Sequence, residues 1–292
     1  MVLGAFFFAA MAVCIKFASA HYNTFEIVTY RGLIGLLLIW AVARAQRISL
    51  ATTVPMMHLW RGVVGVTSQV CWFYSMAVLP LPTAMTLNYM SSIWIAAFLI
   101  GGTLLLQRSA APLRQQSPLY LTVVTGFAGV ALVLQPSFNG QQAMGGLIGL
   151  MSGLFAALAF LQVAALSRAG EPETRTVYYF SICATCTGLA GASITGFSPL
   201  LWPSVLWLLP VGVLAALGQL CLTRAYSSGA TLLVANLQYS GIVFASLFDV
   251  VFFNDTLPWF SWLGVLLIIG CGIGATALRS RAIPQAPAEE HS

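Results

Sequence analysis

Charged side chains are scarce in this sequence, where they make up 7% of the 292 residues. A soluble globular protein carries roughly 25% charged residues because its surface faces water. Apolar residues amount to 59% of the chain, and a single membrane span needs about 20 mainly apolar residues. The scarcity of charge therefore excludes a soluble enzyme or a nucleic-acid-binding domain, and it predicts an all-α polytopic membrane protein.

Residues suited to catalysis or metal binding are scarce as well. The three histidines fall in predicted loops, at His21 and His58, and near the end of the chain, at His291. No pair of carboxylates falls in the middle of a predicted span, where acid–base chemistry would need it. The six cysteines lie inside apolar stretches, as expected of small apolar residues rather than of a disulfide framework. We therefore expect no enzyme, no metal site and no cofactor.

Long runs without charge divide the chain into membrane spans. Residues 62–107, 115–167 and 176–223 contain no Asp, Glu, Lys or Arg, and each run is long enough for two spans joined by a tight turn. Shorter runs fit one span each. The first span begins without a charged lead, so we expect the natural start to lie upstream of Met1. The ten predicted spans are 1–19, 26–43, 60–79, 83–106, 119–135, 144–166, 177–197, 204–223, 229–252 and 258–278.

The basic residues of the loops predict the orientation. Lys and Arg accumulate in loops on the cytoplasmic side of a membrane. When the loops are numbered alternately, one side carries no Lys or Arg and holds Asp255 instead. The other side carries Arg44, Arg47, Arg108, Arg114, Arg168, Arg175, Arg224, Arg279 and Arg281. This asymmetry predicts that both termini are cytoplasmic.

Ten spans divide into two halves of five, at residues 1–137 and 144–280, followed by a polar tail at 281–292. An odd number of spans in each half places the second half in the membrane upside down, as in many secondary transporters. A local match supports the division, because Leu87-Asn88-Tyr89 and Leu237-Gln238-Tyr239 lie 150 residues apart. The sequence thus predicts two inverted five-helix repeats.

The two matching tyrosines are predicted to reach the middle of the membrane. At 1.5 Å per residue, Tyr89 lies about 10 Å below the outer boundary and Tyr239 about 15 Å above the inner one. Both depths fall well inside a hydrocarbon core of about 30 Å. A substrate site where the two halves meet is one interpretation, and a pair of packing or interfacial tyrosines is the other.

Other polar and aromatic side chains are predicted at the same depth. Amides in a bilayer need hydrogen-bond partners, so contacts between helices are one explanation for them. A cavity for a small zwitterion with an apolar or aromatic side chain is the other. With no basic cluster expected at that depth, a polyanion would fit poorly. The candidate substrate-binding residues are Gln69, Trp72, Asn88, Tyr89, Trp94, Asn236, Gln238 and Tyr239.

Four charged residues are predicted near the outer ends of spans. An unpaired Lys or Arg in hydrocarbon costs roughly 3 kcal/mol or more, so Lys16 and Arg31 require partners or access to water. Glu26 and Asp249 are the acidic residues expected nearby. The group forms either an outer ion-pair cluster that holds spans together, or a functional site, which is an anchor for a substrate carboxylate or an outer gate.

The order of these residues resembles the EamA family of the drug/metabolite transporter superfamily. The resemblance covers the whole chain, and it is closest to the YddG-type amino-acid exporters. Two departures concern the ends of the fourth and ninth spans, where a Glu-Arg pair is frequent in the family and Gln107-Arg108 and Asn254-Asp255 stand here. The residues that carry the resemblance are Lys16, Phe25-Glu26 and Arg31, the stretch from Gly126 to Val130 with Pro136, and Gly264 to Gly270.

The resemblance implies an inner-membrane secondary transporter that works by alternating access. Its central cavity would be built from spans one to four and six to nine. Its cargo would be aromatic and other neutral amino acids and related small metabolites, which it would export as a monomer or homodimer embedded in membrane lipid. The alternatives are transport of another metabolite such as a nucleotide-derived cofactor, a lipid flippase, and a membrane scaffold that transports nothing.

Overall fold

The computed structural model describes residues 1–79, 81–105, 111–134, 143–199, 202, 204–253 and 259–282, and these residues form α-helices joined by short connections. A 3-10 helix at Ser204–Trp207 precedes the ninth α-helix. The α-helices are α1 (Val2–Ala18), α2 (Thr24–Ala45), α3 (Pro55–Val78), α4 (Leu81–Tyr89), α5 (Ser91–Leu105), α6 (Ala111–Leu134), α7 (Ala143–Arg168), α8 (Glu173–Thr195), α9 (Leu208–Ser228), α10 (Thr231–Leu237), α11 (Ser240–Phe253) and α12 (Trp259–Ala282).

The helices are those of a polytopic membrane protein. Within the described ranges, five helical segments are long and apolar enough to cross a bilayer, and further apolar helices are shorter. Large apolar side chains face outward along them, as expected where lipid rather than water surrounds the protein. The five segments are Thr24–Ala45, Ala143–Arg168, Glu173–Thr195, Ser204–Ser228 and Thr231–Phe252.

Two of the predicted spans are interrupted, which corrects the expectation of continuous helices at 83–106 and 229–252. The first interruption is at Met90, between α4 and α5, and the second is at Gln238 and Tyr239, between α10 and α11. At the second interruption the amide of Tyr239 donates to the carbonyl of Asn236, a tighter turn than that of an α-helix. Both interruptions adjoin the motifs that matched in the sequence.

Helices α2 and α8 cross at very short range because each supplies a glycine at the crossing. A β-carbon added at Gly32 would lie 2.8 Å from the backbone nitrogen of Thr185, and one added at Gly188 would lie 2.7 Å from that of Thr29. Real β-carbons do not approach other atoms so closely. Small residues therefore allow the two backbones to touch, as is common between helices in membranes.

Helix α7 holds α4 through a second glycine contact. A β-carbon at Gly153 would lie 2.5 Å from the carbonyl oxygen of Leu87. Across the same contact, Nδ2 of Asn88 donates to the hydroxyl of Ser152 at 3.2 Å, and the hydroxyl of Ser68 donates to the Ser152 carbonyl at 2.8 Å. This packing fixes the end of α4 against α3 and α7, and so places Asn88 beside the centre of the bundle.

Candidate functional site

A cavity of about 140 Å³ lies at the centre of the bundle. Its lining comes from α1, α2, α3, α4, α7, α8 and α9 and from the interruption between α10 and α11. Apolar side chains such as Phe8, Met11 and Phe160 form much of the wall. The polar or amphipathic side chains that line it are Arg31, Arg61, Ser68, Gln69, Trp72, Asn88, Tyr89, Gln219 and Gln238.

The structure brings five of the eight predicted substrate-binding residues into this cavity. They are Gln69, Trp72, Asn88, Tyr89 and Gln238. They come from α3, from α4 and from the α10–α11 interruption, so only the tertiary structure brings them together. Their role in binding a substrate stays a prediction.

The other three predicted residues lie outside the cavity lining. Tyr239 is fully buried, and Gly126 leaves the space that its ring fills, since a β-carbon there would lie 2.9 Å from the ring. Asn236 is buried beside an apolar groove between α11 and α12. Trp94 packs into the apolar core that includes parts of α5 and α6. None of the three side chains is part of the cavity lining.

Tyr89 and Tyr239 nevertheless meet at the centre, with ring centroids 6.3 Å apart. The packing interpretation applies to Tyr239, whereas Tyr89 both packs and lines the cavity. The hydroxyl of Tyr89 is held over Gly241, where an added β-carbon would lie 2.6 Å away. The position of the Tyr89 ring therefore depends on the absence of a side chain at residue 241.

Replacing Gly241 by alanine is expected to lower transport severalfold while costing about 1 kcal/mol of stability. The new methyl group must displace the Tyr89 hydroxyl, and this changes the shape of the cavity. Gly270→Ala is the matched control, because no heavy atom lies within 4 Å of a β-carbon at Gly270. Solute flux and thermal unfolding should be measured for both variants; equal flux in the two would show that the Tyr89 position does not matter.

Arg31 lines the cavity and forms no ion pair with a described side chain, which corrects the ion-pair interpretation of this residue. Its side chain is 9% exposed, and its Nη1 donates a hydrogen bond to Oε1 of Gln69. Its guanidinium carbon lies 5.8 Å from the ring centroid of Phe180. The hydrogen bond with Gln69 on the neighbouring helix α3 turns this arginine inward.

Arg61 is a cavity residue that the sequence analysis missed. Its side chain is 3% exposed, and its guanidinium carbon lies 4.4 Å from the centroid of Phe180. The sequence did contain a signal for this role. Helical spacing places polar or small residues on one face of α3, and these are Arg61, Gly65, Ser68 and Gln69. Two arginines thus border the cavity, and the expectation that no basic cluster lies at this depth is wrong.

Glu26 has a structural role at the start of α2 that the sequence analysis did not predict. It forms a capping box with Asn23, whose amide donates to Oε2 of Glu26 at 2.7 Å, while the Glu26 amide donates to Oδ1 of Asn23 at 3.0 Å. The hydroxyl of Ser198 donates to the same carboxylate at 3.0 Å. These bonds tie the segment after α8 to the start of α2, and Glu26 does not pair with Arg31.

The two remaining predicted charges are Lys16 and Asp249, and Lys16 is not among the residues that line the cavity. Lys16 is exposed in the last turn of α1, a position where a cation is favourable. The side chain of Asp249 lies outside the described part of the structure. Of the predicted gate or ion-pair residues whose side chains the structure describes, Arg31 alone borders the cavity.

A separate buried network joins the α7–α8 connection to the start of α3. Glu171 accepts hydrogen bonds from Nε2 of His58 at 3.0 Å, from Nη1 of Arg175 at 3.0 Å and from the hydroxyl of Thr52 at 2.9 Å. Burial raises the pKa of the Glu171 carboxyl, but the three donors outweigh burial and hold that pKa below its ordinary value. Within the described residues, no three His, Cys, Asp or Glu side chains group closely enough to hold a metal ion.

Comparison with known proteins shows similarity to one family of transporters. The profile of the EamA-like transporter family matches residues 143–275. The pseudopaline exporter CntI of Pseudomonas aeruginosa is 32% identical over 282 residues, which cover 92% of each chain. An uncharacterized transporter of Helicobacter pylori is 26% identical, covering 91% of this chain and 89% of that one.

More distant similarities agree with the all-helical fold. The S-adenosylmethionine uptake transporter of Rickettsia bellii is 20% identical, covering 89% of this chain and 86% of its own. One solved crystal structure superimposes with a TM-score of 0.78 at 18% identity, covering 95% of this chain and 96% of the other. At that level of identity the structural match supports the fold alone.

Proposed function

The chain belongs to the EamA-like transporter family, and from this we propose that it is an inner-membrane secondary transporter that exports amino acids and related small metabolites. It works by alternating access around the central cavity. The observation that carries the proposal is that polar and aromatic side chains from distant parts of the chain line one central cavity. A membrane scaffold that transports nothing does not require buried amides and arginines in its core, where such groups are costly.

The helix packing supports two inverted repeats, with ten spans in all. If a twofold axis exchanges α1–α6 with α7–α12, each helix of the first half corresponds to the helix six positions later. The α2–α8 contact and the α6–α12 contact are then each mapped onto themselves. The same axis converts the α3–α7 contact into the contact of α9 with α1, and all four pairs pack closely. It also converts the α4–α5 interruption into the α10–α11 interruption. Interrupted helices that face each other near the bilayer midplane are typical of transporter substrate sites.

We infer that the cavity opens toward the side that the loop arginines predict to be cytoplasmic. Ala5 and Met11 of α1, Arg61 of α3 and Phe180 of α8 all line it, and these three helices begin on that side in the predicted topology. The Glu26–Ser198 contact at the start of α2 lies toward the opposite side in that topology. The arrangement suits an exporter that loads its cargo from the cytoplasm.

Transport of a metabolite other than an amino acid is the second candidate function. It is favoured by the variety of solutes for which the relatives are named, pseudopaline in one case and S-adenosylmethionine in another. A lipid flippase has less support, because helices from both halves line the cavity and the predicted outer loops carry no Lys or Arg.

Efflux from proteoliposomes tests the proposal. The vesicles are loaded in turn with labelled aromatic, aliphatic, hydroxylated and charged amino acids and with a nucleoside, and empty vesicles provide the background. We expect selective release of amino acids. Asn88→Leu should reduce the release about fivefold or more, because one hydrogen-bonding group is lost from the cavity. Retention of every amino acid by the wild-type protein would contradict amino-acid export.

A further inference from the structure

Two buried arginines border the central cavity, and both lie against the same aromatic ring. The guanidinium carbons of Arg31 and Arg61 are 5.8 Å and 4.4 Å from the centroid of Phe180. Both side chains are more than nine-tenths buried. Two positive charges beside one ring repel each other, and the low dielectric of the protein interior strengthens the repulsion.

No described carboxylate neutralises these arginines. Glu26 is engaged by Asn23 and Ser198 at the start of α2, and Glu171 is engaged by His58 and Arg175 at the start of α8. The third carboxylate whose side chain the structure describes, that of Glu173, accepts from Ser227. Arg31 and Arg61 form no ion pair within this part of the chain. Buried charge without a partner is costly, and it is usual only where a function requires it.

The polar atoms left without partners around the cavity are all hydrogen-bond donors. Nε of Arg31, Nε and Nη1 of Arg61, Nε2 of Gln69 and Nε2 of Gln219 are buried and form no hydrogen bond with the described residues. The orientation of Gln69 is fixed, because its Oε1 accepts from Arg31 and its Nε2 must therefore point elsewhere. The indole nitrogen of Trp72 is a further donor of the same kind. Such a site requires acceptor oxygen atoms.

We propose that the cavity recognises a substrate with two carboxylate groups, one bound by Arg31 and the other by Arg61. Guanidinium groups bind carboxylates through paired hydrogen bonds, and the two amides can serve the oxygen atoms that remain. Phe180 and Trp72 offer faces for the carbon chain between the carboxylates. The inference rests on the proposed function, because it takes the cavity as the substrate site, and it narrows the cargo to dicarboxylates.

The test measures binding separately from transport. Purified protein is titrated with glutarate, glutamate, glutamine and inorganic phosphate, and thermal stabilisation and calorimetry report the affinity. We expect glutarate and glutamate to bind, and glutamine to bind roughly tenfold to a hundredfold more weakly, since it lacks one charge-assisted contact. Binding of glutamine as tight as that of glutamate, or binding of phosphate alone, would overturn the inference.

Variants of the two arginines provide the second arm. Arg31→Gln and Arg61→Gln should each weaken glutarate binding roughly tenfold to a hundredfold. Gly65→Ala should weaken it as well without changing the charge, because a β-carbon there would occupy the position of Arg61 Nη1. Arg44→Gln is the matched control, since Arg44 is exposed at the far end of the helix that carries Arg31.

The melting temperature of the ligand-free variants distinguishes arginines that bind the ligand from arginines that stabilise the fold. If the arginines serve the ligand, removing one buried charge should leave the melting temperature of the ligand-free protein unchanged or raise it. A fall in that temperature together with unchanged glutarate binding would assign the arginines to the scaffold and refute the inference. If glutarate binds but proteoliposomes release no amino acid, the substrate inference stands and amino-acid export fails.

Discussion

Gly32→Leu is expected to prevent stable folding, at a cost of about 3 kcal/mol or more. The side chain would have to enter the contact between α2 and α8, where a β-carbon at Gly32 lies 2.8 Å from the backbone nitrogen of Thr185. Backbone atoms cannot rotate away as a flexible side chain can, so the two helices would have to separate. The helix that carries Arg31 would then move away from the one that carries Phe180.

The measurement is the fraction of monodisperse protein after extraction in detergent, together with its thermal unfolding. Gly270→Leu provides the matched control, because the position on α12 has no heavy atom within 4 Å of an added β-carbon. We expect the control to behave like the wild type. A monodisperse Gly32→Leu protein with an unchanged unfolding temperature would contradict the close α2–α8 contact.

Glu171→Gln is expected to lower the free energy of unfolding by about 3 kcal/mol. The carboxylate accepts from His58, Arg175 and Thr52 at once. An amide presents a donor on one side, so at least one of these three donors would face another donor in a buried place. Arg175 also holds the 49–54 segment by donating to the carbonyl of Ser49 at 2.7 Å, and we therefore expect this segment to loosen.

The contribution of Glu171 should depend on pH with a definite sign. Its pKa is lower in the folded protein than its ordinary value of 4.5. The stabilisation is therefore complete well above pH 4.5 and decreases as the pH falls below it toward the folded pKa. The difference in unfolding free energy between wild type and Glu171→Gln should shrink over that range, as measured by denaturant unfolding in detergent.

Glu173→Gln is the matched control for this experiment. Glu173 lies two residues along and accepts one bond from Ser227 at 3.3 Å, so its replacement should cost less than 1 kcal/mol, the scale of a single partly exposed hydrogen bond. Equal losses in the two variants, or a difference that does not change with pH, would contradict a special role for the Glu171 network.

The position of a residue along the chain of predicted spans could be read from the sequence, whereas the side of the helix that faces the cavity could not. Trp72 and Trp94 were both predicted at mid-membrane depth, yet Trp72 lines the cavity and Trp94 packs into the core. Tyr89 and Tyr239 were matched by their sequence context and do meet. Only one of them borders the cavity, because Gly126 accommodates the ring of the other.

The charged residues illustrate the same division. Arg31 was expected to reach toward water at the outer surface, since a lone arginine in hydrocarbon avoids burial. The structure turns it inward because Gln69 offers a hydrogen bond from the neighbouring helix. Arg61 stands at the start of its span in the sequence, and only the packing of α8 brings Phe180 beneath it. Glu26 was predicted as an ion-pair partner, although the order Asn23, Thr24, Phe25, Glu26 is itself a capping-box signal.

The sequence by itself determined the class of protein, the membrane-spanning character of its helices and the family to which it belongs. These properties follow from composition and from the order of apolar and charged residues, which do not depend on which helices are neighbours. The tertiary structure alone decided which polar side chains face one cavity and which charges remain unpaired within it. Those properties depend on glycine contacts between helices far apart in the chain, at Gly32, Gly153 and Gly241, and no local pattern specifies the partner of each contact.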